Sequence, residues 1–191
     1  MVSMNRIFYL FLLFIFFQIV TVNNVFANSN DKPQPFEQIY SEIGYTTVEE
    51  AVREVEKHFK QDLKLPLRVP PIEFTHYFGR FSDLEGEMND SFEMEFISDK
   101  SPENHYKIDV RPVKHKIPIK DKYVLGVYKL KNDIQATYMN ISSFNVLVFD
   151  RDNWQYMLSF DKRGSDKVTP KVLVKIANSI DYSSEQKNKY D

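Results

Sequence analysis

The chain has 191 residues, with 25 lysines and arginines against 27 aspartates and glutamates, for a formal net charge of −2. No basic patch dominates, which argues against nucleic acid as a partner. Cysteine is absent, which excludes disulfide-dense scaffolds and a lipid-anchoring thiol, while the length suits one globular domain plus a short targeting segment.

Residues 1–27 hold one basic residue, Arg6, then an apolar run from Ile7 to Val20 broken by Gln18, then Val25-Phe26-Ala27. This is the pattern of a secretory signal peptide cut after Ala27. Met4 offers an alternative start with the same consequence for export. An uncleaved anchor is the competing reading, because the apolar stretch approaches a bilayer-spanning length; membrane contact would then be confined to this segment. Cleavage leaves 24 basic residues against 27 acidic, a net charge of −3. The expected location is secreted or extracytoplasmic.

Residues 28–44, polar at the start and carrying Pro33 and Pro35, are expected to be a flexible lead-in. A single domain is expected over 45–181 and a disordered tail over 182–191. Thr47 and Glu50 form a capping box, and Val48, Ala51, Val52, Val55 and Phe59 recur at helical spacing, so a helix is predicted over Val48 to Lys60. Pro66, Pro70 and Pro71 then enforce an extended connection.

From Ile72 the period becomes that of strands. Ile72, Phe74, His76 and Phe78 alternate with Glu73, Thr75 and Tyr77, and Gly79 is expected to mark a bulge. Phe92, Met94 and Phe96 alternate with Glu93 and Glu95, and Tyr106, Ile108 and Val110 with Lys107, Asp109 and Arg111. The basic, Pro-broken stretch Val113 to Lys122 reads as a loop or edge. Tyr123 to Leu130 and Ile134 to Ile141 form a hairpin across Lys131-Asn132-Asp133.

Val146 to Phe149 is an unbroken apolar run that stops at the turn-forming Asp150-Arg151-Asp152-Asn153, and Trp154, Tyr156, Leu158 and Phe160 then alternate with polar residues. After a polar loop, Thr169 is placed as N-cap with Pro170 at the first helical position. Val172, Leu173, Ile176, Ala177 and Ile180 supply the apolar stripe of a closing helix. The fold class is therefore α+β: a curved antiparallel sheet of about seven strands, with an N-terminal and a C-terminal helix packed on one face.

Trp154, Tyr156 and Leu158, then Leu173, Ile176, Ala177, Ser179 and Ile180, follow an order of aromatic, Tyr, aliphatic, polar loop and closing helix. This order resembles the end of a Gram-positive extracytoplasmic domain of unknown function, found in small secreted or lipid-anchored proteins and in the outer portions of anti-sigma factors. The resemblance implies a fold similar to lipoprotein carriers, with helices on the concave side of a curved sheet. Two departures accompany it: Pro170-Lys171 stands where acidic residues are common, and no lipid-anchoring cysteine is present. The family has no agreed catalytic residues, so it implies none here.

Signals for chemistry are few. His58, His76, His105 and His115 show no metal-ligand spacing with one another and no H-E-x-x-H. His76 reads as a satisfied, half-buried side chain, and His115 as a surface residue. Glu93 and Glu95, with Asp90, could pair for acid-base work or hold a cation, but strand alternation alone predicts a solvated acidic face. Asp150-Arg151-Asp152-Asn153 lacks the Gly and Glu of a calcium loop and reads as a hairpin turn. No nucleophile elbow, P-loop or dinucleotide fingerprint occurs, and there are five glycines in all. No catalytic residue, metal or cofactor is assigned.

Aromatic residues are abundant, which strand packing explains in part. The functional alternative is an apolar pocket between the sheet and the Val48 to Lys60 helix, with Phe74, Phe78, Tyr128, Tyr138 and Trp154 as candidate lining. The expected function is a secreted, non-catalytic binding or sensory module whose partner is an apolar ligand, either lipid or peptide segment. The alternatives are an envelope protein-interaction or inhibitor protein that offers a sheet edge, and a secreted hydrolase with a dispersed site. The hydrolase predicts a His within reach of a carboxylate and a Ser in a cleft.

Overall fold

A computed structural model describes residues 34–180. The expected signal segment, the start of the lead-in and the 182–191 tail lie outside these residues. Among the described residues no helix is long and apolar enough to cross a membrane.

Helices α1 (Phe36–Glu42) and α2 (Val48–Phe59) precede seven strands, and helix α3 (Pro170–Ala177) follows them. The strands are β1 (His76–Ser82), β2 (Ser91–Ile97), β3 (Tyr106–Pro112), β4 (Val124–Lys129), β5 (Gln135–Ile141), β6 (Phe144–Arg151) and β7 (Trp154–Asp161). All neighbours are antiparallel, in the order β1-β2-β3-β7-β6-β5-β4. The architecture is thus an open α+β sheet. Hairpins make every step but one, and in that step β3, in mid-sheet, connects to β4 at the far edge. The connection, residues 113–123, must therefore cross three strands.

Local chemistry sets the element boundaries. The Thr47 side chain accepts from the Glu50 amide while Glu50 reaches back to the Thr47 amide, so the capping box forms as its sequence requires. Thr169 occupies the N-cap of α3 with Pro170 beginning the helix, although its side chain makes no capping bond. Asp152 and Asn153, with φ of 49° and 64°, form the two-residue turn that joins β6 to β7. Positive φ at both positions matches the right-handed twist of the strands it connects, and Asp and Asn tolerate it.

One face of the sheet carries the main core. Phe92, Phe96, Tyr106, Ile108, Val110, Leu147, Phe149, Tyr156, Leu158 and Phe160 meet Ala51 and Val55 of α2 and Leu173, Ile176 and Ala177 of α3. Each fully buried Val, Leu, Ile or Phe side chain among them contributes about 1.5–3 kcal/mol. Trp154, Tyr156, Leu158, Leu173, Ile176, Ala177, Ser179 and Ile180, which carry the resemblance drawn above, are all buried. They are a signature of packing.

The structure departs from the sequence reading in three places. The lead-in contains a helix: Phe36 sits edge-on to His76 at 5.2 Å and Tyr40 stacks on Phe78 at 4.5 Å, so aromatic contacts hold α1 in place. Strand β1 begins at His76 rather than Ile72, because Pro70 and Pro71 lead into a turn that Ile72 closes on the Pro70 carbonyl. Phe74 therefore joins the core, whereas Phe78 pairs with Glu95 and turns to the opposite face. Gly79 marks no bulge, since its register with Met94 is unbroken. It marks a close approach instead: a Cβ there would lie 2.8 Å from the Val48 Cα.

Candidate functional site

The expected pocket between the sheet and α2 is filled by side chains. Ala51 and Val55 are fully buried there, and Phe59 packs edge-on to Trp154 at 5.4 Å. The opposite face is where the sheet is unusual. Its alternate positions are mostly polar on β1–β3, whereas Met139, Ile141, Val146, Val148 and Met157 make an apolar patch on β5–β7.

The polar half gathers Tyr45, Arg80, Glu93, Glu95, His105, Lys107 and Asp109. The Tyr45 hydroxyl donates to Glu93 at 2.9 Å and Glu95 at 3.3 Å, and Arg80 donates to Glu93 at 2.5 Å. Nε2 of His105 lies 2.5 Å from Glu95. Lys107 Nζ stands 3.1 Å from Asp109 and 3.6 Å from both glutamates. Burial alone would lower the Lys107 ammonium, but Asp109, Glu93 and Glu95 outweigh it and hold it above its ordinary range. Burial would likewise raise Glu93, but Lys107 and Arg80 overcome it and hold that carboxyl low. For Asp109 burial wins, and its carboxyl is pushed up to about 6. Glu93 and Glu95 therefore form no solvated acidic face, and each is committed to cations and a phenol.

The apolar half lies beneath the 113–123 connection, which forms a strap. The Ile117 amide donates to Oε1 of Gln155 at 2.8 Å, and Nε2 of Gln155 donates to the Ile117 carbonyl at 3.1 Å. Lys116 adds a 2.8 Å bond to Asp150. Pinned in this way, Ile117, Pro118, Ile119 and Tyr123 roof a recess of about 140 Å³ floored by Met139, Ile141, Val148 and Met157. Met139, Val146 and Val148 form a second apolar cluster separate from the main core. On the other flank of the strap an open cleft of about 430 Å³ runs past Lys116, Gln135, Thr137, Asp150 and Gln155.

Exposed apolar side chains also stand on β4, the strand next to β5. Leu125 and Val127 on edge strand β4 are each 61 % exposed, and Ile117 and Ile119 are about 40 % exposed at 42 % and 41 %.

Of the five residues expected to line a pocket, Phe74, Tyr128, Tyr138 and Trp154 belong to the packed main core, and Phe78 lies on the opposite face of the sheet. Phe74 packs at 5.5 Å from Phe96, Phe78 lies between Tyr40 and His76, and Tyr128 meets Tyr138 edge-on at 6.1 Å. Trp154 is fully buried, its Nε1 donating to the Asp62 carbonyl at 2.9 Å. Of the four clefts described, one includes Trp154 and none includes the other four residues. Ile117, Pro118 and Ile119 were missed because a Pro-broken basic loop carries no periodic signal. The cue present in the sequence was Met139, Val148 and Met157, apolar residues at positions that alternation assigns to the face away from the main core.

Among the described residues histidine and carboxylate meet in four places, one of them the long 4.0 Å pair of His115 Nε2 with Glu87. His58 Nε2 lies 3.0 Å from Asp90, His76 Nε2 lies 3.2 Å from Glu37, and His105 pairs with Glu95. Thr75 Oγ1, 2.7 Å from His76 Nδ1, completes a hydroxyl–imidazole–carboxylate row. That hydroxyl already accepts the Asp99 amide at 3.0 Å, tying the lead into β1 to the residues just after β2. No serine lines any of the four clefts.

No protein-family model, curated protein or solved structure matches the chain.

Proposed function

We propose that this chain is a non-catalytic binding module that takes an apolar group of a larger partner into the recess beneath the strap. The observation that carries this reading is the recess itself: a small, semi-enclosed apolar hollow held open by a hydrogen-bonded roof rather than filled by core side chains. About 150 Å³ of apolar cavity accepts one benzene ring, so the recess suits a single ring or a branched aliphatic group.

Magnitude decides the kind of partner. Burying about six carbons at ~0.8 kcal/mol each gives roughly 5 kcal/mol, little more than the ~4.1 kcal/mol of millimolar binding. Useful affinity needs further contact, and Ile119, Leu125 and Val127 supply it beside the recess. An extended polypeptide segment that lies along the β4 edge and anchors one apolar side chain fits this geometry. The signal-peptide pattern of residues 1–27 and the resemblance to extracytoplasmic domains support a location outside the cytoplasm, where the partner would be an envelope or secreted protein. The prior commitment of Glu93, Glu95 and Thr75 to internal partners supports a non-catalytic role.

The test is the fluorescence of an apolar anionic dye, 8-anilinonaphthalene sulfonate, with the folded chain and with Val148→Phe, which fills the recess. Enhancement by the wild-type chain that is lost in the variant supports the reading. Equal enhancement in both overturns it.

A further inference from the structure

We propose a second site, independent of the strap recess, that binds one divalent transition cation of the zinc type through His58, Asp83 and Asp90. The three residues come from separate elements: His58 from the last turn of α2, Asp83 from just after β1, and Asp90 from just before β2. One ligand atom from each lies within 4.8 Å of the other two. The sequence conceals this grouping because α2 and the β1–β2 connection meet only on folding.

Asp90 is the observation that separates this group from an ordinary acidic cluster. It is 1 % exposed, and its Oδ2 accepts no hydrogen bond from any described residue. Leaving a carboxylate oxygen buried without a donor is costly, and structures retain such a group where a cation or a specific role compensates. Oδ2 lies 3.0 Å from Nε2 of His58, which makes an ion pair with it when protonated but lacks the alignment of a hydrogen bond. Two atoms bound at about 2.1 Å to a common tetrahedral ion stand about 3.4 Å apart, so the pair needs to open by only a few tenths of an ångström to act as neighbouring ligands.

The surroundings hold those two ligands in place. Oδ1 of Asp90 accepts the Leu84 amide at 2.8 Å, which orients the carboxylate as an outer-shell bond does. The His58 ring is fixed against Phe59 at 4.6 Å and Phe81 at 5.0 Å. Asp83 is exposed and closes the set from the rim of an open cleft shared with Glu54 and Lys57. One imidazole with two carboxylates favours zinc, manganese or ferrous ion over calcium and magnesium, which prefer all-oxygen shells. Three protein ligands leave a coordination position open towards that cleft.

The test is calorimetric titration of Zn²⁺ into the chelator-treated full chain, with Co²⁺ absorption as the second readout. The expected result is one ion per chain, visible Co²⁺ ligand-field bands, and at least about tenfold weaker binding in Asp83→Asn and in His58→Gln. Asp83 is exposed, so the circular dichroism of Asp83→Asn should match that of the parent. Absence of Zn²⁺ and Co²⁺ binding to the parent chain, or parental affinity in either variant, overturns the proposal. Failure here leaves the dye result at the strap recess untouched, since Val148 belongs to the other face.

Discussion

Gln155 and Ile117 exchange two hydrogen bonds, at 2.8 and 3.1 Å, so that a side-chain amide on β7 does for the strap what a neighbouring strand does for β-structure. Gln155 is 2 % exposed, and a buried primary amide is costly unless both its ends are satisfied. Here the Ile117 backbone satisfies both. The strap's crossing point is thereby fixed, and with it the roof of the recess.

Gln155→Ala removes both bonds and leaves the Ile117 amide and carbonyl without partners. The expected loss is about 1–3 kcal/mol, measured by urea unfolding, with faster amide exchange at Ile117 than in the parent. Unchanged exchange at Ile117 would mean that Gln155 does not hold the strap.

Gly79→Ala tests the packing of α2 on β1. The new methyl would lie 2.8 Å from the Val48 Cα and 3.0 Å from the Ala51 Cβ and the Thr47 carbonyl oxygen. Backbone cannot step aside as a flexible side chain can, so the expected destabilisation is about 1–3 kcal/mol. A neutral result in thermal unfolding would contradict the close approach.

Asp109 gives a pH dependence with a definite sign. Its folded-state carboxyl is pushed up to about 6, above the ~3.9 of an unfolded aspartate. Such a group binds its proton more tightly in the native chain, so its unfavourable contribution is fully present above about pH 6 and fades as pH falls towards about 4. Asp109→Asn has no such titration. The stability of the parent relative to this variant should therefore rise between about pH 7 and about pH 4 in paired urea unfolding curves, and a constant difference would contradict the assignment.

The sequence made the architecture legible because the signals there are local. Periods of two in Phe92-Met94-Phe96, Tyr106-Ile108-Val110 and Trp154-Tyr156-Leu158-Phe160 define strands, and the Thr47–Glu50 box with the Val48 to Phe59 stripe defines α2. The candidate site was not legible in the same way. Alternation reports which residues face away from one another, not what covers each face. It marked Glu93 and Glu95 as wet, yet Tyr45, Arg80 and Lys107, brought from three other segments, enclose them. Phe78 was assigned to the face of Phe74 by carrying one alternation through from Ile72, but residues 72–75 are not strand and the phase is broken before β1 begins at His76. The strap's position depends on the strand order β3-β7-β6-β5-β4, which no local pattern specifies.

The recess beneath the strap is proposed to receive an apolar group. Methyl-resolved nuclear magnetic resonance tests it most directly, with the methyls of Met139, Met157, Val148, Ile117 and Ile119 followed during titration with benzene. Occupation of the recess requires saturable shifts at these methyls, with millimolar affinity, while core methyls such as those of Leu147 and Leu173 stay in place. Shifts spread evenly over the surface, or none at Met139 and Met157, would contradict it.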